Sequence, residues 1–495
     1  MFAHKWSGPE LPWLFGYTLS WTLVYLLGAA YILMRGMRSD ANEYAACMWP
    51  RGKLALSFVT FLILYCCVLL ILDNSTRIKL AVIRSDAVSV ALALQPPRVA
   101  DHLNAAHIYE KAFEAMEKDL PDWWDELGEP SFDLSQNGVK ESLQEKGGAI
   151  ALLLRASTMP EYHVEVNYLK GDIPKLFPYK NAASLLSLDA RFKAANGETD
   201  AGLKSAAAIR GMADHLRAIP SILANMMSAA IQQMGTRTAE NILSHGPLIL
   251  AGVVGKPLDN TVHFQEAFNR ALRMDEALMA FTSTSYLTVS SVSQWFPLGE
   301  LLYRAVFLYD EMTSARTIML EAHTIAAKPY WKAFDDWKRW DDKAKAFRGL
   351  ITAIAIPSYG RGTRIKILEA EAGEGLTNLA FAASAYQADH GNYPESIEAL
   401  APQYIAAIPA DPFSGKPLKL ASVEGGLILY SVGPDLKDER GAKEYDSKLE
   451  SSKLKTGDIT FVMGSAFEDL RLQPSREWLQ KRAKERAQRP KKRKR

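Results

Sequence analysis

Residues 386–400 read YQADHGNYPESIEAL, and they mark where one long helix must stop. Upstream, Ile365, Leu368, Ala372, Leu376, Leu379, Ala383 and Tyr386 step by three or four, an uninterrupted apolar stripe of helical period. Asp389-His390-Gly391-Asn392 ends it, with Gly391 suited to the left-handed position after a helix. His390 falls in the last turn, where a cation suits the helix dipole, and reads as structural. Pro394 then opens a short helix carrying Ile397 and Leu400. After IPADPFSGKPLKL the period changes to two. Leu418, Leu420 and residues 427–432 flank Glu424-Gly425-Gly426, which predicts a β-hairpin, and TGDITFVM (456–463) supplies a third strand. The expected unit is a helix on a small antiparallel sheet.

Four signatures follow one another here: Y-x-x-D-H-G-x-Y-P, D-P-F-x-G-K-P, Y-S-V-G-P-D and G-D-I-T-F. Together they make residues 351–463 resemble the head of type II secretion major pseudopilins and type IV pilins. AIAIPSY, just ahead, is similar to the end of that family's hydrophobic N-terminal helix. Only about ten apolar residues remain in it, too few to cross a bilayer. The family's processing site and glutamate are also missing from the preceding DDWKRWDDKAKAF. The resemblance thus implies a pilin-shaped head that cannot enter a filament by the ordinary route. It also implies calcium in the loop before the last strand, where Asp435, Asp438 and Asp458 match the acidic positions and Asp446 is a spare. Calcium takes about six to eight oxygens, which an acidic, turning loop can supply. The family's Asp-Gly turn is Asp435-Leu436 in this chain, and Lys437, Arg440 and Lys443 dilute the charge. A solvated acidic loop is the competing reading.

The front of the chain has a different character. Residues 11–34 and 54–72 are uncharged and apolar, and runs of about 20 such residues match a hydrocarbon core of about 30 Å. Two transmembrane helices are expected, rather than a signal peptide, because no small-residue cleavage site follows the first run. Arg35, Arg38, Arg51 and Lys53 in the connection place it in the cytoplasm, although Arg77, Lys79 and Arg84 follow the second run closely. The predicted location is the bacterial inner membrane, with two spans and the bulk of the chain exocytoplasmic. Cys47, Cys66 and Cys67 all lie near or within these runs, so nothing after residue 72 can form a disulfide or a thiolate metal site.

With 495 residues the chain is long enough for several domains. The expected division is an anchor at 1–74, a helical domain at 75–350, the pseudopilin-like α+β domain at 351–465 and a basic, disordered tail at 466–495. The fold class is mainly α. In the middle, Ala105, Tyr109, Ala112 and Met116 form one helical face. Residues 188–216 form a helical hairpin around Asn196-Gly197-Glu198-Thr199-Asp200, with Gly197 as a left-handed stop and Thr199 or Asp200 as a new cap. That hairpin resembles a tetratricopeptide unit, with small residues where helices approach, but no second copy is evident, and solenoids need about three repeats. Trp123-Trp124 either stack on sugars or cover a core edge. Trp331, Phe334 and Trp337 are expected on one packed helical face, with Asp335, Asp336, Asp341 and Asp342 on the solvated side.

Catalytic templates fail in turn. AGVVGKP lacks the spacing and hydroxyl of a phosphate cradle, no G-x-S-x-G elbow occurs, and none of the nine histidines begins an H-E-x-x-H. His102 and His107, five residues apart, splay on a helix rather than converge. The tail from Arg476 carries eleven basic residues against Glu477 and Glu485, so the rest of the chain is net acidic although the total is +2. Such a tail suits anionic lipid or polymer rather than specific nucleic acid. The order of elements, with N-A-A-x-x-Y after the anchor, also resembles membrane proteins of planctomycete-type bacteria that have no assigned activity. The expected function is a noncatalytic envelope scaffold with bilayer, envelope or secretion-system partners. The alternative is a membrane-bound hydrolase of wall polymer or peptide that uses carboxylates gathered in the helical middle.

Overall fold

The computed structural model describes residues 41–116, 132–135, 138–167, 172, 175–244, 263–289, 303–347, 359–441, 457–472 and 476. The run 11–34, Trp123-Trp124, AGVVGKP, residues 351–358, Asp446 and the tail beyond Arg476 lie outside them. In chain order the helices are α1 (Ala41–Leu94), α2 (Ala105–Met116), α3 (Val139–Glu145), α4 (Gly147–Ser157), α5 (Phe177–Ala195), α6 (Thr199–Arg217), α7 (Ile222–Leu243), α8 (Phe264–Val289), α9 (Tyr309–Ala326), α10 (Tyr330–Ala346) and α11 (Arg361–His390). The strands are β1 (Lys419–Val423), β2 (Gly426–Ser431) and β3 (Ile459–Gly464). The described chain is therefore mainly helical with one small sheet. It divides into two compact units: Met1–Ala93 with Glu276–Ala322 and Arg339–Ser358, and Leu94–Asp275 with His323–Lys338 and Tyr359–Arg495. The second unit joins the C-terminal module to most of the helical middle.

In the first unit, α1 is helical from Ala41, so part of the expected connecting loop already belongs to the helix. Among the described residues one helical stretch, Val59–Leu94, is long and apolar enough to cross a membrane. The helix continues well past what a bilayer needs, since its 54 residues extend about 80 Å. Leu62, Ile63, Leu64 and Ile71 are exposed, a surface suited to lipid. Farther along, Leu69, Asp73, Thr76, Leu80, Ile83 and Ala87 are buried at alternating steps of four and three. That spacing keeps one seam facing neighbouring helices. The neighbours are visible in the contacts: Thr76 Oγ1 donates to Ala305 O at 3.2 Å, and Arg316 pairs with Asp86 and Glu276. Lys79 and Arg84 lie over the rings of Tyr309 and Phe281.

In the second unit, α5 and α6 form the expected hairpin, turning through Asn196, Gly197 and Glu198. The cap differs in detail: Glu198 occupies it without a side-chain bond, and Thr199 is already helical. Small residues do set the helix spacing. A Cβ at Gly202 would lie 2.6 Å from Ala190 O, and one at Gly211 would lie 2.3 Å from Ser157 O. Backbone cannot yield as a flexible side chain does, so Gly211→Ala should destabilise the protein by about 1–3 kcal/mol in a denaturant melt. An unchanged midpoint would contradict this packing.

The module at the end of the chain follows its pattern closely. Ile365, Leu368, Ala372, Leu376, Leu379 and Ala383 of α11 are buried. Gly391 adopts φ +79 and donates its N–H to Gln387 O at 2.8 Å, closing the helix as its position demands. The sheet runs β1-β2-β3, all antiparallel, with Val423 opposite Gly426 across the Glu424-Gly425 turn. One core holds α11 residues Leu376, Leu379 and Ala383, sheet residues Leu427, Leu429, Phe461 and Met463, and helical-domain residues Leu203, Ala239 and Ile242.

Helix α11 is buried on more than the predicted stripe. Ala370, Gly373, Thr377 and Ala380 are also covered or closely approached. A Cβ at Gly373 would meet Thr236 Oγ1 at 3.0 Å and Thr236 Cβ at 3.6 Å. Glu240 of α7 accepts the Val462 N–H at 2.7 Å and pairs with Arg471 at 3.0 Å. The helical domain and module therefore share one core. Helix α10 also departs from expectation. Its buried stripe is Tyr330, Ala333, Trp337, Trp340 and Ala344, while Trp331 stays 38% exposed. The reason lies in the D-P-F-x-G-K-P turn. Gly415, at φ +70, leaves room for the Trp331 indole, which a Cβ would strike at 2.3 Å. Beside it Tyr330 Oη donates to Pro434 O at 3.0 Å, with its ring edge-on to Phe413.

Candidate functional site

The acidic loop is built by two non-glycine residues in left-handed conformation, Leu436 at φ 62 and Arg440 at φ 59. Such positions tighten the chain around a point at some conformational cost. Asp435 is buried, and its Oδ1 accepts the Lys437 N–H at 3.3 Å. Asp458 is fully buried, and its Oδ2 accepts the Gly441 N–H at 2.7 Å. Burial pushes its carboxyl up to about 6, against the lowering effect of that bond. Asp438 is drawn elsewhere: Lys419 pairs with it and holds its carboxyl below the usual range. Among the described residues of this loop, Asp435 Oδ2, Glu439 Oε2 and Asp458 Oδ1 are buried without a hydrogen-bond partner. Glu439 was not expected from sequence. No group of three or more His, Cys, Asp or Glu side chains arranged to hold a metal occurs among the described residues.

A second locus was not anticipated. Asn104 and Tyr109, the polar members of N-A-A-x-x-Y, do separate jobs. Asn104 Nδ2 donates to His163 O at 2.8 Å, while its Oδ1 accepts the N–H groups of His163 at 2.9 Å and Ala106 at 3.1 Å. This clamps the Pro160–His163 segment to the start of α2. Tyr109 is fully buried and its hydroxyl lies 2.9 Å from His215 Nδ1. His215 Nε2 lies 2.8 Å from Met159 O, which can only accept, so Nε2 carries the proton and Nδ1 accepts from Tyr109. Burial lowers the imidazole to about 4, so it is neutral at physiological pH. Tyr162 stacks on His215 at 5.2 Å and meets Tyr179 through their hydroxyls at 2.9 Å.

A cleft of about 230 Å³ opens beside this cluster, lined by residues that include Pro96, Pro97, Pro160, Glu161, Asp214 and Arg270. Behind it lies a buried ionic band. Arg217 is 2% exposed, 3.1 Å from Asp214 and 3.9 Å from Glu374 of α11, with its guanidinium 3.6 Å from the Phe264 ring centre. Arg210 pairs with Glu374 and donates to Asn378 Oδ1 at 3.1 Å. Burial raises Asp214 to about 6 despite Arg217, raises Glu371, and lowers Arg364 to about 10.

His102 and His107 play no part in either locus. His107 is exposed beside Asp101 and Glu110. His390 donates Nδ1 to Tyr386 O at 3.1 Å and stacks on that ring, a structural role. No protein-family model matches the chain, and no curated protein or solved structure does either.

Proposed function

We propose that this is a noncatalytic cell-envelope scaffold, anchored by two membrane helices, with a pseudopilin-like head on the exocytoplasmic side. One observation carries the reading: the head is packed against its own chain, with its long helix closely approached by Thr236 of α7 and its last strand bonded to Glu240 of the same helix. The head then serves as a fixed recognition surface, while the basic tail meets anionic lipid or polymer. Fusing alkaline phosphatase after Arg495 tests the orientation. The reading expects an active phosphatase there and a dark cytosolic fluorescent protein in the same place. The reverse pattern overturns it. Photocrosslinkers at exposed Lys437 or Glu424 should yield adducts with envelope proteins; adducts only with copies of the same chain would contradict a scaffold.

Calcium belongs to the same reading. The donor chemistry suits a hard cation, because three carboxylate oxygens in one loop are buried without partners. Asp435 and Asp458 would contribute oxygens to the ion, Asp438 is committed to Lys419, and the described side chains alone do not complete a site. Bound there, calcium would neutralise the Asp458 carboxylate, which burial otherwise penalises. Saturating calcium at about 100 times its dissociation constant should stabilise the full chain by about 2.7 kcal/mol over the chelated sample. Asp458→Asn should remove most of that gain. An identical melting curve with calcium and with chelator would end the proposal.

A second reading, a hydrolase, is favoured by one feature: Asp214 and Glu161 line the same cleft, and Asp214 is raised towards neutrality. His215 offers no base, since Met159 and Tyr109 occupy both nitrogens. Turnover of wall polymer or peptide that Asp214→Asn abolishes would establish this reading over the scaffold.

A further inference from the structure

The cleft beside His215 is lined by residues that all precede the helix-and-sheet module. Pro96, Pro97 and Pro160 form apolar walls whose backbones proline stiffens. Asn104 pins the segment that carries Pro160 through its bonds to His163. A cleft built this way is preformed, so little ordering is lost when it fills. Its volume of about 230 Å³ is below the range of about 300–1,000 Å³ common for drug-sized ligands. It therefore suits one short side chain or a small molecule.

Two carboxyls in its lining can receive a cation. The cleft sits at the C-terminal end of α6, where the helix dipole is negative. Asp214 and Glu161 supply the two carboxyls. His215 adds no positive charge, because its Nδ1 accepts from Tyr109. Arg270 is the cationic lining residue, and its Nη2 is turned onto the carbonyls of Arg217 and Ala218, at 3.2 and 2.7 Å. Tyr162, stacked on His215, also belongs to the lining.

We propose that this cleft binds an alkylammonium group, a primary amine on a short hydrocarbon stem, with the amine on Asp214 and Glu161 and the stem along the prolines. Two sources share this chemistry: a free diamine and the lysine side chain of a partner protein. This goes beyond the scaffold reading and stands independently of the acidic loop.

Binding is linked to protons through Asp214. That carboxyl faces Arg217 on its own helix, Arg210 one turn before, Glu374 on α11, and Glu161, Arg270 and neutral His215 around the cleft. Burial favours its protonated form in the empty cleft, and an arriving ammonium favours the carboxylate. Affinity therefore rises with pH through about 6.

Titration calorimetry on the full chain in detergent tests this with cadaverine, Nα-acetyl-lysine amide and neutral pentanol. The amines should bind saturably near neutral pH and about tenfold or more weaker near pH 5. Asp214→Asn should cost a further factor of about ten, and half-exposed Glu161→Gln about threefold, with its melting curve confirming the fold. Comparable affinity for the two amines assigns a lysine side chain, and a preference of more than about tenfold for cadaverine assigns a free diamine. Pentanol binding as tightly as the amines, amine binding unaltered by both variants, or no saturable binding overturns the proposal.

Discussion

Asp411→Ala should destabilise the second unit by at least about 3 kcal/mol, because buried donors left without an acceptor cost about 1–3 kcal/mol each. Asp411 is the aspartate of D-P-F-x-G-K-P, is 2% exposed, and serves four donors. Its Oδ1 accepts Phe413 N–H at 2.9 Å and Ser431 Oγ–H at 2.8 Å. Its Oδ2 accepts Ser414 Oγ–H at 3.0 Å and Val432 N–H at 3.1 Å. One carboxylate thus ties the turn that receives Trp331 to the end of β2. Asp411→Asn keeps one acceptor oxygen and should lose less. Thermal melts of the full chain in detergent should show the midpoint falling in the order wild type, Asn, Ala. Equal midpoints for wild type and Ala would show that this knot is not formed.

Arg217→Ala should cost about 3–5 kcal/mol, the range for leaving buried charge uncompensated. It strips Asp214 and Glu374 of their shared guanidinium and removes the packing on Phe264. Lysine restores the charge but neither the fork nor the stacking, so Arg217→Lys should fall between. The loss has a pH signature. Asp214 titrates at about 6 in the folded chain and near the ordinary aspartate value of about 3.9 when unfolded. Between those values the native state holds more protons, so its contribution to stability is present at low pH and is lost as pH rises through about 6. Without Arg217 the carboxylate is penalised further. The deficit of Arg217→Ala should therefore shrink as a series of urea melts moves from about pH 8 to about pH 5. A deficit that grows on acidification would contradict the buried pair.

How much of this was legible in the sequence depends on the range of the interaction. Local periodicity placed α11, its glycine stop, the short Ile397–Leu400 turn and the three strands in the right order, although α11 starts earlier, at Arg361, and β3 later, at Ile459, than their patterns suggested. The second face of α11 was not legible. Gly373 and Thr377 carry no hydrophobic signal, and their role is to let α7 come close. Trp331 misled because aromatic spacing on α10 suggested one packed face, whereas the side chain is taken by a glycine over eighty residues away. Of the three aspartates named for calcium, Asp435 and Asp458 are buried, and Asp438 is claimed by a lysine on β1. Tyr109 reads from sequence as one member of a helical face, and nothing there singles out His215. Their 2.9 Å contact spans 106 positions and has no short motif to announce it.

Helix α11 lies against α7 of its own chain. Thr236 Cβ and a Cβ built on Gly373 would stand 3.6 Å apart, within the span of about 3.5–4.5 Å that a disulfide bridges. With Cys47, Cys66 and Cys67 replaced by serine, Thr236→Cys/Gly373→Cys should oxidise in intact membranes to a faster-migrating monomer on a non-reducing gel. Either single cysteine should leave mobility unchanged. A ladder of crosslinked multimers, or free thiols at both positions after oxidation, would contradict the account.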